Sequence, residues 1–239
     1  MSESLADIPA FILAGGRGTR LRPAVSDRPK ALAEVAGRPF LAWLLDGLVA
    51  SGVRQAVLCT GYRGEMIRQV FGDHFQTLAL DYSQETEPLG TGGAVRAALP
   101  LSDSPTLLVL NGDSLCRVDL ASFARQHAQR GAACSLVLAR VRDTSRYGRV
   151  ETAADGRLTQ FLEKGDAAGP GWINAGVYLF QHRVIEGMPL SRALSLERDL
   201  FPAWLGRGLY GHEQDGPFLD IGTPESYSAA VDFVSDLHR

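Results

Sequence analysis

The residues best equipped for chemistry stand near the amino terminus. An apolar run from Ile8 ends in Leu13-Ala14-Gly15-Gly16-Arg17-Gly18-Thr19-Arg20-Leu21-Arg22. Glycines let a backbone approach an anion and aim successive N–H groups at it, and arginines neutralise its charge. The dinucleotide fingerprint needs a third glycine, where this chain has Leu21. The P-loop ends in Gly-Lys-Ser/Thr, where this chain reads Gly18-Thr19-Arg20. Arg17, Arg20 and Arg22 beside the glycines point to a polyphosphate. All but two of the 24 basic residues are arginine, and the exceptions are Lys30 and Lys164. Both are candidates for places that want a compact ammonium. Lys30, stiffened by Pro29, offers a second phosphate contact.

Two later segments add acidic chemistry. Asn111-Gly112-Asp113 ends the apolar strand Thr106 to Leu110, at the edge where open α/β sheets bind ligands. Asp113 there is either a helix cap or a ligand for the hard cation that accompanies a triphosphate. Gly90-Thr91-Gly92-Gly93 opens a helix after Glu85-Thr86-Glu87-Pro88-Leu89, and its glycines would let a flat base lie against the backbone. Glu85 suits guanine, whose N1–H and N2–H₂ are adjacent donors that one carboxylate accepts together. Uracil and thymine place one N–H between two carbonyls and suit an amide instead. Gln84 is the neighbour, so a register shift of one residue would reverse this reading. The five histidines have no metal-ligand spacing and read as surface or loop residues. Cys59, Cys116 and Cys134 show no C-x-x-C spacing and read as buried thiols in a reducing cytosol.

The elements that must position these groups alternate. Strands are expected over 8–13, 55–60, 78–82 and 106–110, with helices over 39–50, 64–71, 92–98 and 119–129. Strands then dominate, over 135–141, 148–151, 157–163 and 173–180, before helices over 196–204 and 224–237. That order predicts an α/β fold. It is a Rossmann-like three-layer α/β/α sandwich with a mixed, mainly parallel central sheet. A single domain over 1–239 is expected, with a nucleotide-binding half over about 1–130 and a sugar-phosphate-binding half over about 131–239. Hydrophobic residues make up 45 % and charged residues 21 % of 239, so a disordered or collagen-like chain is excluded. A net charge of −3 argues against a nucleic-acid partner. No apolar run approaches the roughly 18 residues of a membrane helix, and the first residues are acidic and polar rather than a signal peptide, so a cytoplasmic chain is expected.

Taken in order, these segments resemble the sugar-1-phosphate nucleotidylyltransferases. The resemblance runs through LAGGRGTRLRP and RPKAL, Tyr62-Arg63, Glu87 to Gly93, Leu110 to Asp113 and Arg146-Tyr147-Gly148. It continues through Glu163-Lys164, Asn174 to Val177 and Phe218 to Glu225. Within that family, VSDRPK, GRPFL, FGD and YSQETEPLGTGGA look most like the D-glycero-D-manno-heptose 1-phosphate guanylyltransferases. The resemblance implies a nucleotide site of Leu13, Ala14, Gly15, Gly16, Gly18, Thr19, Arg20, Glu85, Pro88, Gly90, Thr91, Asn111 and Gly112. It implies that Asp113 and Asp220 meet at a Mg²⁺ ion. Arg17 and Lys30 would face the departing pyrophosphate, and Lys164 the sugar phosphate. Gly148, Glu163, Asn174 and Glu197 would face the sugar, a helix-surface role being the alternative for Glu197. Gly165-Asp166 stands where relatives often carry a proline. The implied partners are GTP and D-glycero-alpha-D-manno-heptose 1-phosphate, yielding GDP-heptose and pyrophosphate for surface glycan synthesis, in a possible homo-oligomer. Two readings stay open beside it: a uridylyl-, thymidylyl- or guanylyltransferase for glucose or mannose 1-phosphate, and a non-catalytic sugar-nucleotide sensor.

Overall fold

The structure is a computed structural model that describes residues 4–162, 168–189 and 193–237. The first half alternates. Strand β1 (Ala10–Leu13) leads through the glycine-arginine loop to the small pair β2 (Glu34–Val35) and β3 (Arg38–Pro39). Helix α1 (Phe40–Ala50), β4 (Gln55–Thr60), α2 (Gly64–Phe71), β5 (His74–Phe75) and β6 (Leu78–Gln84) follow. Then come α3 (Gly90–Ala98), β7 (Thr106–Asn111), β8 (Ser114–Cys116) and α4 (Leu120–Arg130). Strands β9 (Cys134–Val141), β10 (Arg149–Thr152), β11 (Leu158–Phe161) and β12 (Gly171–Gln181) precede α5 (His182–Glu186). A π-helical turn (Leu196–Leu200), α6 (Phe201–Ala203), β13 (Leu209–Gln214), β14 (Phe218–Asp220), α7 (Pro224–Ser228) and α8 (Ala230–Leu237) complete the described chain.

Ten strands form one mixed sheet in the order β11-β10-β12-β7-β1-β4-β6-β5, with β9 joining β12 and β13. Its centre, β7-β1-β4-β6, is parallel, and β12 runs antiparallel to β7. The second half of the chain therefore extends the first sheet. Apolar clusters cover both faces, which is why β1, β4 and β7 are nearly continuous apolar runs. Phe40, Leu41, Leu44, Leu45 and Leu48 of α1 sit in one cluster, and Val95 and Ala98 of α3 in the other.

The observed elements depart from expectation in a few places. Leu209–Gln214 is a strand parallel to β9, although Gly211, His212, Glu213 and Gln214 give it little apolar signal. Gly211 lets the Leu138 and Thr152 side chains pack against the strand, since a Cβ would lie 2.6 Å from Leu138 Cδ1. The helix expected over 224–237 breaks at Ala229 into α7 and α8. The one expected over 196–204 opens as a π-helical turn, a local widening common where a side chain is re-aimed.

Candidate active site

The carboxyl ends of β1, β4, β6 and β7 open into a cavity of about 590 Å³. Leu13, Ala14, Gly15, Gly16, Gly18, Thr19, Arg20, Glu85, Pro88, Gly90, Thr91, Asn111 and Gly112 all line it, together with Arg17, Lys30 and Asp113. Glu85, not the exposed Gln84, is the residue on the wall. Its Oε2 accepts the Leu89 N–H at 3.0 Å, and its own N–H donates to Thr60 O at 2.9 Å. A Cβ at Gly15 or Gly61 would lie 2.7 Å from Glu85 Oε1, so both glycines make room for that carboxylate.

The glycines of α3 have a different reason. A Cβ at Gly90, whose φ is +74°, would lie 2.6 Å from Leu194 O. Gly92 and Gly93 donate their N–H groups to that same oxygen at 2.8 and 3.2 Å. The backbone of Leu194 therefore packs closely on this helix start and takes the Gly92 and Gly93 donors, while Gly90 and Thr91 still line the first cavity.

A second cavity of about 410 Å³ adjoins the first. Gly148, Asn174 and Glu197, the expected sugar contacts, line it together with Asp220. Ser114, Arg146, Tyr147, Phe161, Gly176, Arg198 and Phe218 join them. Arg20, Asn111 and Asp113 line both cavities and so form the seam. Asn111 Oδ1 is buried there with no hydrogen-bond partner among the described residues. Tyr147 packs edge-on against Phe218 at 5.6 Å, and Arg146 donates to Thr223 Oγ1 at 2.9 Å. Glu163 and Lys164 lie outside the described residues.

At the seam, Lys30 Nζ stands 2.6 Å from Asp113 Oδ2 and 4.0 Å from Asp220 Oδ1. The antiparallel pair β8-β14 brings the two acids together, with Asp220 opposite Ser114 and the Ile221 N–H donating to Asp113 O at 3.0 Å. Asp220 Oδ1 also accepts the Gly222 N–H. The arrangement is a cationic, glycine-lined cradle facing two acids across one crevice, which is what handling two phosphate-bearing ligands requires.

A family model described as Nucleotidyl transferase matches residues 9–236. The chain belongs to the nucleotidyl transferase family. Among curated relatives of this nucleotidyl transferase, the D-glycero-alpha-D-manno-heptose 1-phosphate guanylyltransferase of Aneurinibacillus thermoaerophilus is 39 % identical over 222 residues, covering 92 % of this chain and 96 % of the relative. The mannose-1-phosphate guanylyltransferase of Mycobacterium tuberculosis is 38 % identical over 224 residues, and the match spans 62 % of that longer protein. The crystal structure of HddC from Yersinia pseudotuberculosis complexed with GMP-PN superposes with a TM-score of 0.83 at 32 % identity, covering 95 % of this chain and 99 % of that one.

The donor set of this nucleotidyl transferase fits a hard divalent cation. Asp113, in the turn between β7 and β8, and Asp220, at the end of β14, converge on a point that the Lys30 ammonium, itself a cation, already approaches. Magnesium characteristically takes one or two carboxylates and completes its shell with phosphate oxygens and water. Among the described residues there is no cluster of three or more His, Cys, Asp or Glu suited to a metal, so an all-protein cage is not what the site offers.

The cysteines and two of the histidines are enclosed by packing. Cys59 lines the first cavity, but burial, reinforced by the Glu85 charge, pushes its thiol up to about 12 and removes it as a nucleophile. Cys134 is buried, whereas Cys116 is only partly so. Two histidines correct the surface reading. His127 is 5 % exposed, with Nδ1 2.8 Å from Ser135 Oγ, and His212 is part-buried on β13 against Phe123. Their burial follows from packing α4 on β9 and β13, which no spacing in the chain announces.

Among the described residues no helix is long and apolar enough to cross a membrane.

Proposed function

We propose that the chain joins GTP to D-glycero-alpha-D-manno-heptose 1-phosphate, giving GDP-heptose and pyrophosphate. The observation that carries this reading is the seam: two adjoining cavities share Arg20, Asn111 and Asp113, with Lys30 between Asp113 and Asp220. A relative of nearly equal length carries the heptose name, and a solved neighbour was complexed with GMP-PN. Glu85 on the wall of the first cavity supports guanine.

The nucleophile is an oxygen of the sugar phosphate. Its second pKa lies near 6, so it is mostly dianionic at neutral pH and needs no general base. That agrees with a site whose walls, among the described residues, carry no histidine. The oxygen attacks the α-phosphorus, a new P–O bond forms, and the bond to pyrophosphate breaks with its electron pair on the leaving group. This chain's work is positioning and charge neutralisation. Arg17, Arg20 and Lys30 receive the triphosphate and the departing pyrophosphate, and Lys164 receives the sugar phosphate. Asp113 and Asp220 would hold Mg²⁺, which when bound neutralises phosphate charge at the seam. Asn111 lines both cavities, and Gly148, Glu163, Asn174 and Glu197 are assigned to the sugar.

A mannose 1-phosphate guanylyltransferase is the second reading, favoured by the nearly equal identity to the mycobacterial relative. Pyrophosphate release across the four common nucleoside triphosphates and mannose, glucose and heptose 1-phosphates separates the two. Turnover highest with GTP and the heptose phosphate is expected. Preference for mannose 1-phosphate transfers the assignment, and no release in any cell of the matrix removes it.

A further inference from the structure

A strand places residues i and i+4 about 13 Å apart along its axis. In β12, nevertheless, Asn174 Nδ2 lies 2.8 Å from the Tyr178 hydroxyl. The cause is a bulge. Asn174 pairs with Leu138 and Tyr178 with Leu136, so four steps on β12 oppose two on β9. Gly176 supplies the φ of +75° inside it, and a Cβ there would lie 2.6 Å from Asn111 Nδ2 at the seam.

The hydrogen bonds around Tyr178 have fixed directions. The Gly176 N–H donates to Asn174 Oδ1 at 3.0 Å, so the amide must turn its NH₂ towards the tyrosine. The tyrosine oxygen accepts it and gives its single proton to Glu197 Oε1 at 3.4 Å. Glu197 Oε2 accepts the Thr91 hydroxyl at 2.8 Å and the Ser195 hydroxyl at 3.0 Å. Thr91 is held in turn by the Leu196 N–H at 2.8 Å. The Tyr178 ring is wholly buried, packed on Phe180 and Phe201 at centroid distances of 6.0 and 5.2 Å. Burial and the Glu197 charge hold its phenol well above the ordinary range, so it stays a donor at every working pH.

Tyr178 itself lines neither cavity, yet it grips two residues of the second, and the chain of bonds ends at Thr91 in the first. We propose that Tyr178 is a positioning residue for sugar selection, holding Asn174 and Glu197 in one fixed orientation and tying that orientation through Thr91 to the nucleotide cavity. The inference rests on the two-substrate reading of the adjoining cavities. The recognised ligand class is the polyhydroxylated ring of a sugar 1-phosphate. One N–H of Asn174 and the remaining acceptor capacity of Glu197 are left to read its hydroxyls.

Tyr178→Phe keeps the ring and removes only the hydroxyl. The full chain is assayed by pyrophosphate release with GTP against heptose and mannose 1-phosphates. KM for the preferred sugar phosphate should rise about tenfold, KM for GTP should change less than about twofold, and discrimination between the two sugars should shrink about tenfold. Thr91→Val should also raise the sugar KM, although Thr91 lines the nucleotide cavity. A purely structural tyrosine would lower the melting temperature and leave both KM values and the discrimination ratio where they were; that outcome overturns the proposal. An unchanged sugar KM in Thr91→Val removes the tie between the cavities. If the unmodified chain releases no pyrophosphate with any sugar phosphate, the reading of function fails and takes this inference with it.

Discussion

Lys30 Nζ sits 2.6 Å from Asp113 Oδ2 although the two residues are 83 positions apart in the chain. The lysine is 11 % exposed while Asp113 is 44 % exposed, so the cation is enclosed and the acid opens on the cleft. Asp220 Oδ1 completes the triad at 4.0 Å.

Removing either member should cost rate as well as affinity, because two anionic substrates must be brought together. Lys30→Ala and Asp113→Asn should each lower kcat by about 100–1,000-fold, the range seen on removing one transition-state donor. Pyrophosphate release under saturating substrates checks this, and turnover within a few-fold of the unmodified chain would refute both roles. Chelation of divalent ions should abolish turnover, and Mg²⁺ should restore it. Asp113→Asn should then need more Mg²⁺ for half-maximal rate.

Base choice is expected to depend on Glu85. Glu85→Gln should narrow the preference for GTP over UTP by about 10–100-fold, the worth of a lost bidentate charged pair. Gly15→Ala reaches the same carboxylate from outside, since its Cβ would stand 2.7 Å from Oε1. It should raise KM for GTP by displacing the carboxylate while leaving Glu85 itself unsubstituted. Kinetics with each nucleotide in turn measure both effects, and an unaltered GTP-to-UTP ratio in Glu85→Gln would place base recognition elsewhere.

Acid stability is expected to depend on His127. Burial pushes its pKa down from the ordinary 6.5 to about 4. Between those values the unfolded chain binds a proton that the folded chain refuses, so stability rises with pH across that window. The contribution is complete above pH 6.5 and is lost as pH falls towards 4, amounting to about 3 kcal/mol over the window. Urea midpoints followed from pH 7.5 to 4.5 should fall, and His127→Gln should flatten the fall. Parallel profiles for both proteins would mean the histidine is neutral to folding.

Gly90 tests the junction between α3 and Leu194. Its φ is +74° and its Cβ would strike Leu194 O at 2.6 Å. Gly37 has a φ of +76° with nothing within 4 Å of the added carbon. Gly90→Ala should therefore melt several degrees below Gly37→Ala, at roughly 2–4 °C per kcal/mol for a chain of this size. Equal melting temperatures would mean Leu194 yields freely.

Much of the fold was legible because its signals are local. Buried parallel strands such as β4 and β7 are apolar runs, and α1 carries an apolar face. Edge strands are half polar and carry less signal, so the residues of Leu209–Gln214 do not mark it as a strand. His127 and His212 leave no mark in the sequence for a related reason: exposure is a property of what packs on a residue, and spacing says nothing of that.

The chain by itself determined which loops carry glycines and arginines, which carboxylates end strands, and the family those motifs resemble, since each depends on neighbours within a few residues. Only the tertiary structure decided what meets what. The β8-β14 pair sets Asp220 beside the turn that carries Asp113, and the bulge at Gly176 folds Asn174 back onto Tyr178. The approach of Leu194 to Gly90 is likewise invisible in the linear chain. Such meetings arise from sheet registers and backbone approaches between distant segments, whose energies are spread over many weak contacts and leave no spacing rule in the linear chain.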